Sequence, residues 1–494
     1  MGLRGHPIRS WLAAAVAVAA AAILGLLAVT LVTRLTPSGG APVAAGAPAC
    51  RGTQVRPGDD LQRTLEAAPG GATVCFAAGT YRLTAPLQPA DGQRLLAAQG
   101  AVLTGSVRLD GWRRDGRLWW ASGGLPAELA PHGECDRGRL CQDNETVYLD
   151  GRPLRRVASR GLVGPGQVWA DYGNDRIWIG DEPDGRMVEV ARAPAAIAGR
   201  ARDVTVEGFV VEHFANPAQR GAVQSDGGGW TIGGNEVRAN HGTGIHATGG
   251  LVVGNHIHHN GQLGLLGTGD GQLVEGNEID HNNTEGFSPL WEAGGTKFAR
   301  TDGLVVRAND VHHNTGPGLW TDINNIGTTI ERNVVHANTS HGIFHEISYR
   351  AVIRDNRVTD NGRAEPLPGW GGAGIRVAAS PDVEIHGNWL AGNQNAIVLV
   401  QQRRDDWPSP HGAHLIRNID VHDNQVTLST DQLIGQVDDT GSAASYDRNI
   451  RFHDNTYRLG SSAAEVFAWQ GTEWDPTRWR QRFDQDVSST FTSG

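Results

Sequence analysis

Seven times between residues 235 and 393 the chain places an asparagine, an aliphatic residue two positions later and a second asparagine five positions after the first. The pairs are Asn235/Asn240, Asn255/Asn260, Asn277/Asn282, Asn309/Asn314, Asn333/Asn338, Asn356/Asn361 and Asn388/Asn393, and the residue between is always Val, Ile or Leu. First asparagines recur at intervals of 20, 22, 32, 24, 23 and 32 residues, so the unit is short and accepts loop insertions. A helical repeat needs roughly 33 residues or more, and the Leu-x-x-Leu-x-Leu signature of leucine-rich repeats is missing. Short β-branched runs such as Leu251–Val253 precede the first asparagines. Runs of this kind, separated by Asn and Gly turns and stacked coil on coil, predict an all-β, single-stranded parallel β-helix in which each unit buries its apolar row against the next. Asparagine tolerates left-handed backbone, and its amide can bond the equivalent amide one coil away, so these residues are structural.

The ends of the stack are also marked. Asp59-Asp60 before Leu61–Ala68 predicts a short capping helix ahead of a first strand at Thr73–Phe76, and Asp475-Pro476 opens a terminal helix through Phe483. The second asparagine is lost after Asn424 and Asn455, where the ladder ends. The expected organisation is a first set of coils over 50–110, an antiparallel β insertion over 111–200, repeats over 201–460 and a C-terminal cap over 461–494.

Trp11–Val32 is a run of 22 residues without a charge, preceded by Arg4, His6 and Arg9. It is long enough to span a bilayer, which favours a transmembrane anchor over 11–32 with residues 1–10 cytoplasmic and 33–49 as a Pro/Gly/Ala linker. Secretion after signal cleavage is the alternative, since small residues precede Cys50. All four cysteines (Cys50, Cys75, Cys135, Cys141) follow this segment, in an oxidising compartment, and pairing 50 with 75 and 135 with 141 closes two local loops. Beyond residue 49 there are 40 basic and 53 acidic residues, a balance of −13, which argues against a nucleic-acid partner. The chain is read as a monomer.

On these repeats the sequence resembles the right-handed parallel β-helix superfamily that includes pectate lyases, polygalacturonases and alginate-modifying epimerases, over residues 50 to 485. Trp291–Lys297, Gly318–Asn325 and Gly342–Ile347 resemble more closely a bacterial surface β-helix repeat subfamily. The resemblance implies a polysaccharide ligand. It transfers no catalytic residue, because the Asp-Pro-His of the epimerases and the Gly-His-Gly of the polygalacturonases are both missing.

Candidate chemistry follows from register. Taking Gly286, Gly318, Gly342 and Gly374 as equivalent strand openings, Asp322 stacks on Glu346, and Trp320, Phe344 and Arg376 form a second outward row. Neighbouring strands lie about 4.8 Å apart, so two outward carboxylates are forced close and one should keep its proton near neutrality. Insertions over Asn283–Asp302, Arg363–Ala373 and Gln401–Ile416 would wall a groove and bring in Trp291, Glu292 and Lys297, the only lysine in the chain. A desolvated lysine can lose its proton, whereas arginine cannot.

Asp322, Glu346, Glu292, Lys297 and His345 are thus candidate catalytic residues, and Trp291, Trp320, Phe344, Arg376, Asn325 and Gln401 candidate binding residues. A glycoside hydrolase would use the paired carboxylates. A polysaccharide lyase or uronate epimerase would use Lys297, His345 and Arg376, and a non-catalytic surface binder would need only the aromatic row. No cofactor is implied with certainty; Ca²⁺ at Asp322 and Glu346 is a further alternative, and His345 could equally face the core. The histidines at 258–259, 281 and 312–313, with Asp280, fall at a turn beside the ladder and are read as surface decoration over a metal site.

Overall fold

The computed structural model describes residues 50–493 apart from 129, 364–369, 405–407 and 409, so the predicted anchor and linker lie outside the described residues. Among the described residues no helix is long and apolar enough to cross a membrane. Each coil gives one strand to each of three sheets, which hold thirteen, twelve and thirteen strands among the described residues. Leu251–Val253, His256–His258 and Leu263–Thr268 form one coil, and Leu273–Glu275, Glu278–Asp280 and Gly294–Ala299 form the next, all three pairs parallel. The aliphatic residue inside each asparagine pair is fully buried, from Val237 to Leu390, because its neighbours above and below occupy the same position.

The asparagines hold that register. The Asn309 backbone N–H and Nδ2 both donate to Asn333 Oδ1, at 3.0 and 2.9 Å, and Asn333 repeats the pattern onto Asn356. Each Nδ2 also donates to a strand carbonyl of the preceding coil, Val306 O in the case of Asn333. The first ladder runs on through Asn424 and Asn455 and ends on Asp486, which accepts from Asn455 Nδ2, Tyr457 Oη and Trp479 Nε1. A buried carboxylate thus closes a row of amides at the last coil, where acceptors are needed and no further donor follows.

Both helices are present: Leu61–Ala67 is capped by Asp60, and Pro476–Phe483 by Asp475. The ends are longer than the sequence suggests. A strand at Thr53–Val55 precedes the first helix and pairs with Thr73–Phe76, and Thr490–Ser493 returns after the second helix to extend a sheet beyond Thr456–Leu459. Both are three- or four-residue strands whose signal comes only from the neighbour they pair with. The insertion begins and ends nearer the stack than 111–200. Its strands span Ser106–Arg108 to Val188–Ala191 and are antiparallel except where Arg155–Arg156 meets Gln167–Val168. It leaves the stack unbroken, since Arg94–Leu96 pairs directly with Thr205–Glu207. Disulfides join Cys50 to Cys75 and Cys135 to Cys141.

If the ladder sets the register, Asn333→Ala leaves the Asn309 backbone N–H buried without an acceptor and removes the side-chain bond to Asn356, while the backbone N–H of residue 333 still donates there. A loss of about 3 kcal/mol is expected in denaturant unfolding, at roughly 1–3 kcal/mol per stranded group. The exposed Thr427→Ala should cost less than about 0.5 kcal/mol.

Candidate functional site

The outer face of the twelve-stranded sheet, over Gly294–Ala299, Leu319–Asp322, Ile343–Glu346 and Ala373–Ala378, carries the candidate residues. Gly318 and Gly342 open their strands because a Cβ there would meet the ladder amides of Asn338 and Asn361, each at 2.8 Å. In the coil below, Gly295 fills that role, with the Asn314 amide at 3.0 Å, while Gly286 stands in open space. The expected alignment on Gly286 is therefore corrected by nine residues, because the insertion sits before the strand. The correction places Lys297 in line with Trp320, since Phe298 pairs with Thr321.

One outward column thus reads Lys297, Trp320, Phe344 and Arg376. The Lys297 ammonium lies 4.1 Å from the Trp320 ring centre, Trp320 stacks on Phe344 at 5.6 Å and 11°, and the Arg376 guanidinium lies 5.1 Å from the Phe344 ring. Both faces of each ring are therefore taken by neighbours along the stack. The two aromatics offer edges to a ligand instead of the open sugar platforms expected from sequence.

The second column sets Asp322 beside Glu346, one residue beyond the paired Thr321 and His345. Lys297 Nζ lies 3.0 Å from Asp322 Oδ2 and 3.2 Å from Glu292 Oε2. Arg404, which the sequence reading did not single out within the Gln401–Ile416 insertion, pairs with Glu346 Oε1. The Asp322 and Glu346 side chains are each about 10% exposed and Lys297 5%. Burial, then the negative charge of Asp322, pushes the Glu346 carboxyl up to about 7 despite Arg404, Arg376 and Lys297. For Lys297, burial alone would lower the affinity for its proton, but Asp322 and Glu292 outweigh it and the amine is held above its ordinary value. Lys297 is thus a fixed cation and not the titrating amine that its isolation in the sequence suggested.

Four buried polar atoms here have no hydrogen-bonding partner among the described residues: Asp322 Oδ1, Trp320 Nε1, Arg376 Nε and Arg404 Nε. One acceptor and three donors left open on one surface are what a polar ligand requires. The turn after each carboxylate is strained as well, with Ile323 at φ 62° and Ile347 at φ 33°, a region that β-branched residues avoid.

Other candidates have different positions. His345 faces the interior, bonded through Nδ1 to Thr321 Oγ1 at 2.8 Å, and burial drives it down to about 3. That corrects its assignment to the groove: it alternates with Glu346 along one strand, so only one of the two can face out. Asn325 spends its amide on the fold, accepting from Thr301 and donating to Phe298 O and to Asp322 O, which fixes the turn beyond Asp322. Gln401 ties the two ends of its insertion together by accepting from the Ile416 N–H. Trp291 packs beside Phe287 and His132 against the insertion, whose Cys135 bridges Phe287. Glu292 remains in the cluster, with Gln219 donating to it at 3.0 Å. His341, also unanticipated, lies 3.1 Å from Arg376 Nη1 and is held far below its ordinary value by burial and by that guanidinium.

Residues 221–390 match the family described as "Right handed beta helix region". The described residues fold as a right-handed parallel β-helix. In fold the β-helix is similar to XylC, whose structure was solved with xylose, at 16% identity over 87% of this chain and 82% of that one, with a TM-score of 0.62. A glycoside hydrolase aligns at 11% identity over 71% and 89% of the two chains with a TM-score of 0.46. The Azotobacter vinelandii mannuronan C-5 epimerase AlgE6 A-module aligns at 15% identity over 88% and 94%, with a TM-score of 0.44. No curated protein matches the sequence.

The raised Glu346 makes stability depend on pH with a definite sign. Its folded value of about 7 exceeds the ordinary 4.5, so its contribution is fully present below about 4.5 and is lost as pH rises through 7. The melting temperature of the parent should therefore fall relative to that of Glu346→Gln between pH 5 and pH 8. Parallel curves for the two proteins would reject the shifted carboxyl.

Proposed function

We propose that this β-helix is an extracytoplasmic glycoside hydrolase that cleaves a polysaccharide with retention of configuration, using Glu346 as general acid and Asp322 as nucleophile. The observation that carries this reading is a carboxyl held near 7 beside a second, lysine-paired carboxylate on the adjacent strand. Two carboxyl groups about 5 Å apart suit retention, and adjacent strands are spaced by about 4.8 Å. Asp322 Oδ1 attacks the anomeric carbon as the bond to the leaving oxygen breaks, and Glu346 gives that oxygen its proton. A water then attacks the same carbon, gives its proton to Glu346 and releases Asp322. Lys297, steadied by Glu292, orients Asp322 through Oδ2 and leaves Oδ1 free. The similarity in fold to XylC, solved with xylose, agrees with a sugar ligand.

The unpartnered Nε atoms of Arg376 and Arg404 favour a second reading, a lyase or epimerase acting on a uronate whose carboxylate they would hold. The acidic surface balance weighs against a polyanion. An extracytoplasmic, membrane-anchored location rests on Trp11–Val32 and on the two disulfides.

A panel of neutral and uronate polysaccharides separates the readings. Hydrolysis gives new reducing ends without ultraviolet absorption, and the first product keeps the anomeric configuration of the substrate by NMR. An ultraviolet-absorbing unsaturated product means a lyase instead, and binding without turnover means a sugar-binding module. Asp322→Asn and Glu346→Gln should each lower kcat by about 10²–10⁴. The basic limb of the kcat profile should lie near pH 7, because Glu346 must be protonated for the first step.

A further inference from the structure

We propose that a row of histidines and carboxylates on another sheet, remote in chemistry from the carboxylate site, binds divalent transition-metal ions at two positions. The row spans His256–His258, Glu278–Asp280, Asp310–His312 and Val334–His336, four successive parallel strands. Two sets of three residues share no member. His256, Glu278 and Asp280 form one, and Asp310, His312 and His336 the other, with all ligand atoms of each set within 4.8 Å of one another. A tetrahedral ion with bonds of about 2.0–2.1 Å needs ligand atoms roughly 3.3 Å apart. His256 Nε2 is already 2.7 Å from Asp280 Oδ1, and His336 Nε2 is 3.3 Å from Asp310 Oδ1, so small side-chain rotations close both sets. A third set, Asp280, His281 and His312, overlaps both and lies between them.

The fold does not require histidine here. The left-handed turn that follows these strands holds His259, His281 and His313 in three coils, yet Ala239, Ala337 and Asp360 serve the same turn in others. The strand position of His258, His312 and His336 is Arg238 or Thr359 elsewhere in the column. Even so, seven of the chain's nineteen histidines fall between residues 256 and 336. Mixed imidazole and carboxylate ligands suit Zn²⁺ and its late first-row neighbours more than Mg²⁺ or Ca²⁺. Three protein ligands per ion leave a coordination position for water, so the ions exchange.

A second histidine column provides the control. His386, His422 and His453 stack at 5.1 Å, but no set of three ligands forms there among the described residues. The test is calorimetric titration with ZnCl₂ of the full chain, kept in mild detergent and purified without a histidine tag. Co²⁺ absorption spectra check the imidazole ligands, and thermal melts check folding. Two equivalents of Zn²⁺ are expected for the parent and for His386→Ala, and one each for His256→Ala and His336→Ala. Fewer than two in the parent, or two in either of the last variants while they remain folded, overturns the proposal. If a variant fails to fold, chemical modification of the parent's imidazoles with diethyl pyrocarbonate decides, because bound Zn²⁺ should protect these histidines and equal labelling with and without Zn²⁺ overturns the proposal.

Discussion

Everything on the surface of this molecule depends on the asparagine ladder. A parallel stack of short strands has no intrinsic guard against slipping by a residue, and a slip of one turns every outward side chain inward. A buried amide that must both donate to one coil and accept from another removes that freedom, because any other register leaves it unsatisfied in the interior. Hydrophobic burial drives the stacking, but Val, Ile and Leu at the intervening position are interchangeable in a way that the amides are not. The ladder therefore converts a linear repeat into vertical columns whose spacing is fixed.

Columns are what make the site. Asp322 and Glu346 are 24 residues apart in sequence, and Lys297 is 25 before Asp322. Register alone brings them together, and the low-polarity surroundings of Trp320, Phe344, Ala378 and Val400 give their charges weight. Three acids and three bases meet there, yet Glu346 still keeps its proton near neutrality, because burial opposes its charge before any neighbour acts. The insertions serve as cover. Glu292, Trp370 and Arg404 come from the three loops that interrupt the coil rhythm, so the same irregularities that blur the repeat build the walls.

The fold was legible because its signal repeats: seven asparagine pairs overdetermine the coil. Elements that occur once were less visible, as Thr53–Val55 and Thr490–Ser493 illustrate, since strands of three or four residues declare themselves only through the partner they pair with. In the site, Asp322 and Glu346 were legible from glycine spacing, whereas the alignment of Lys297 was not. An insertion displaces the glycine that marks its strand, and Gly295 could be told from Gly286 only by asking which of them faces a ladder amide. Ring orientation was also beyond the sequence. Alternation says that Trp320 and Phe344 face out, but their stacking on each other and on two cations is a matter of rotamers. Arg404 lies in a recognisable insertion, and nothing in the surrounding residues distinguishes it from Arg403.

The site exists only if Asp322 and Glu346 are neighbours across coils, and one titration tests that directly. With ¹³C-labelled glutamate side chains, the NMR midpoint of Glu346 in the parent should lie near 7. In Asp322→Asn it should fall while staying above the ordinary 4.5, because burial remains after the neighbouring charge is gone. A midpoint at the ordinary value in the parent, or one that does not move on neutralising Asp322, would contradict the stacked site.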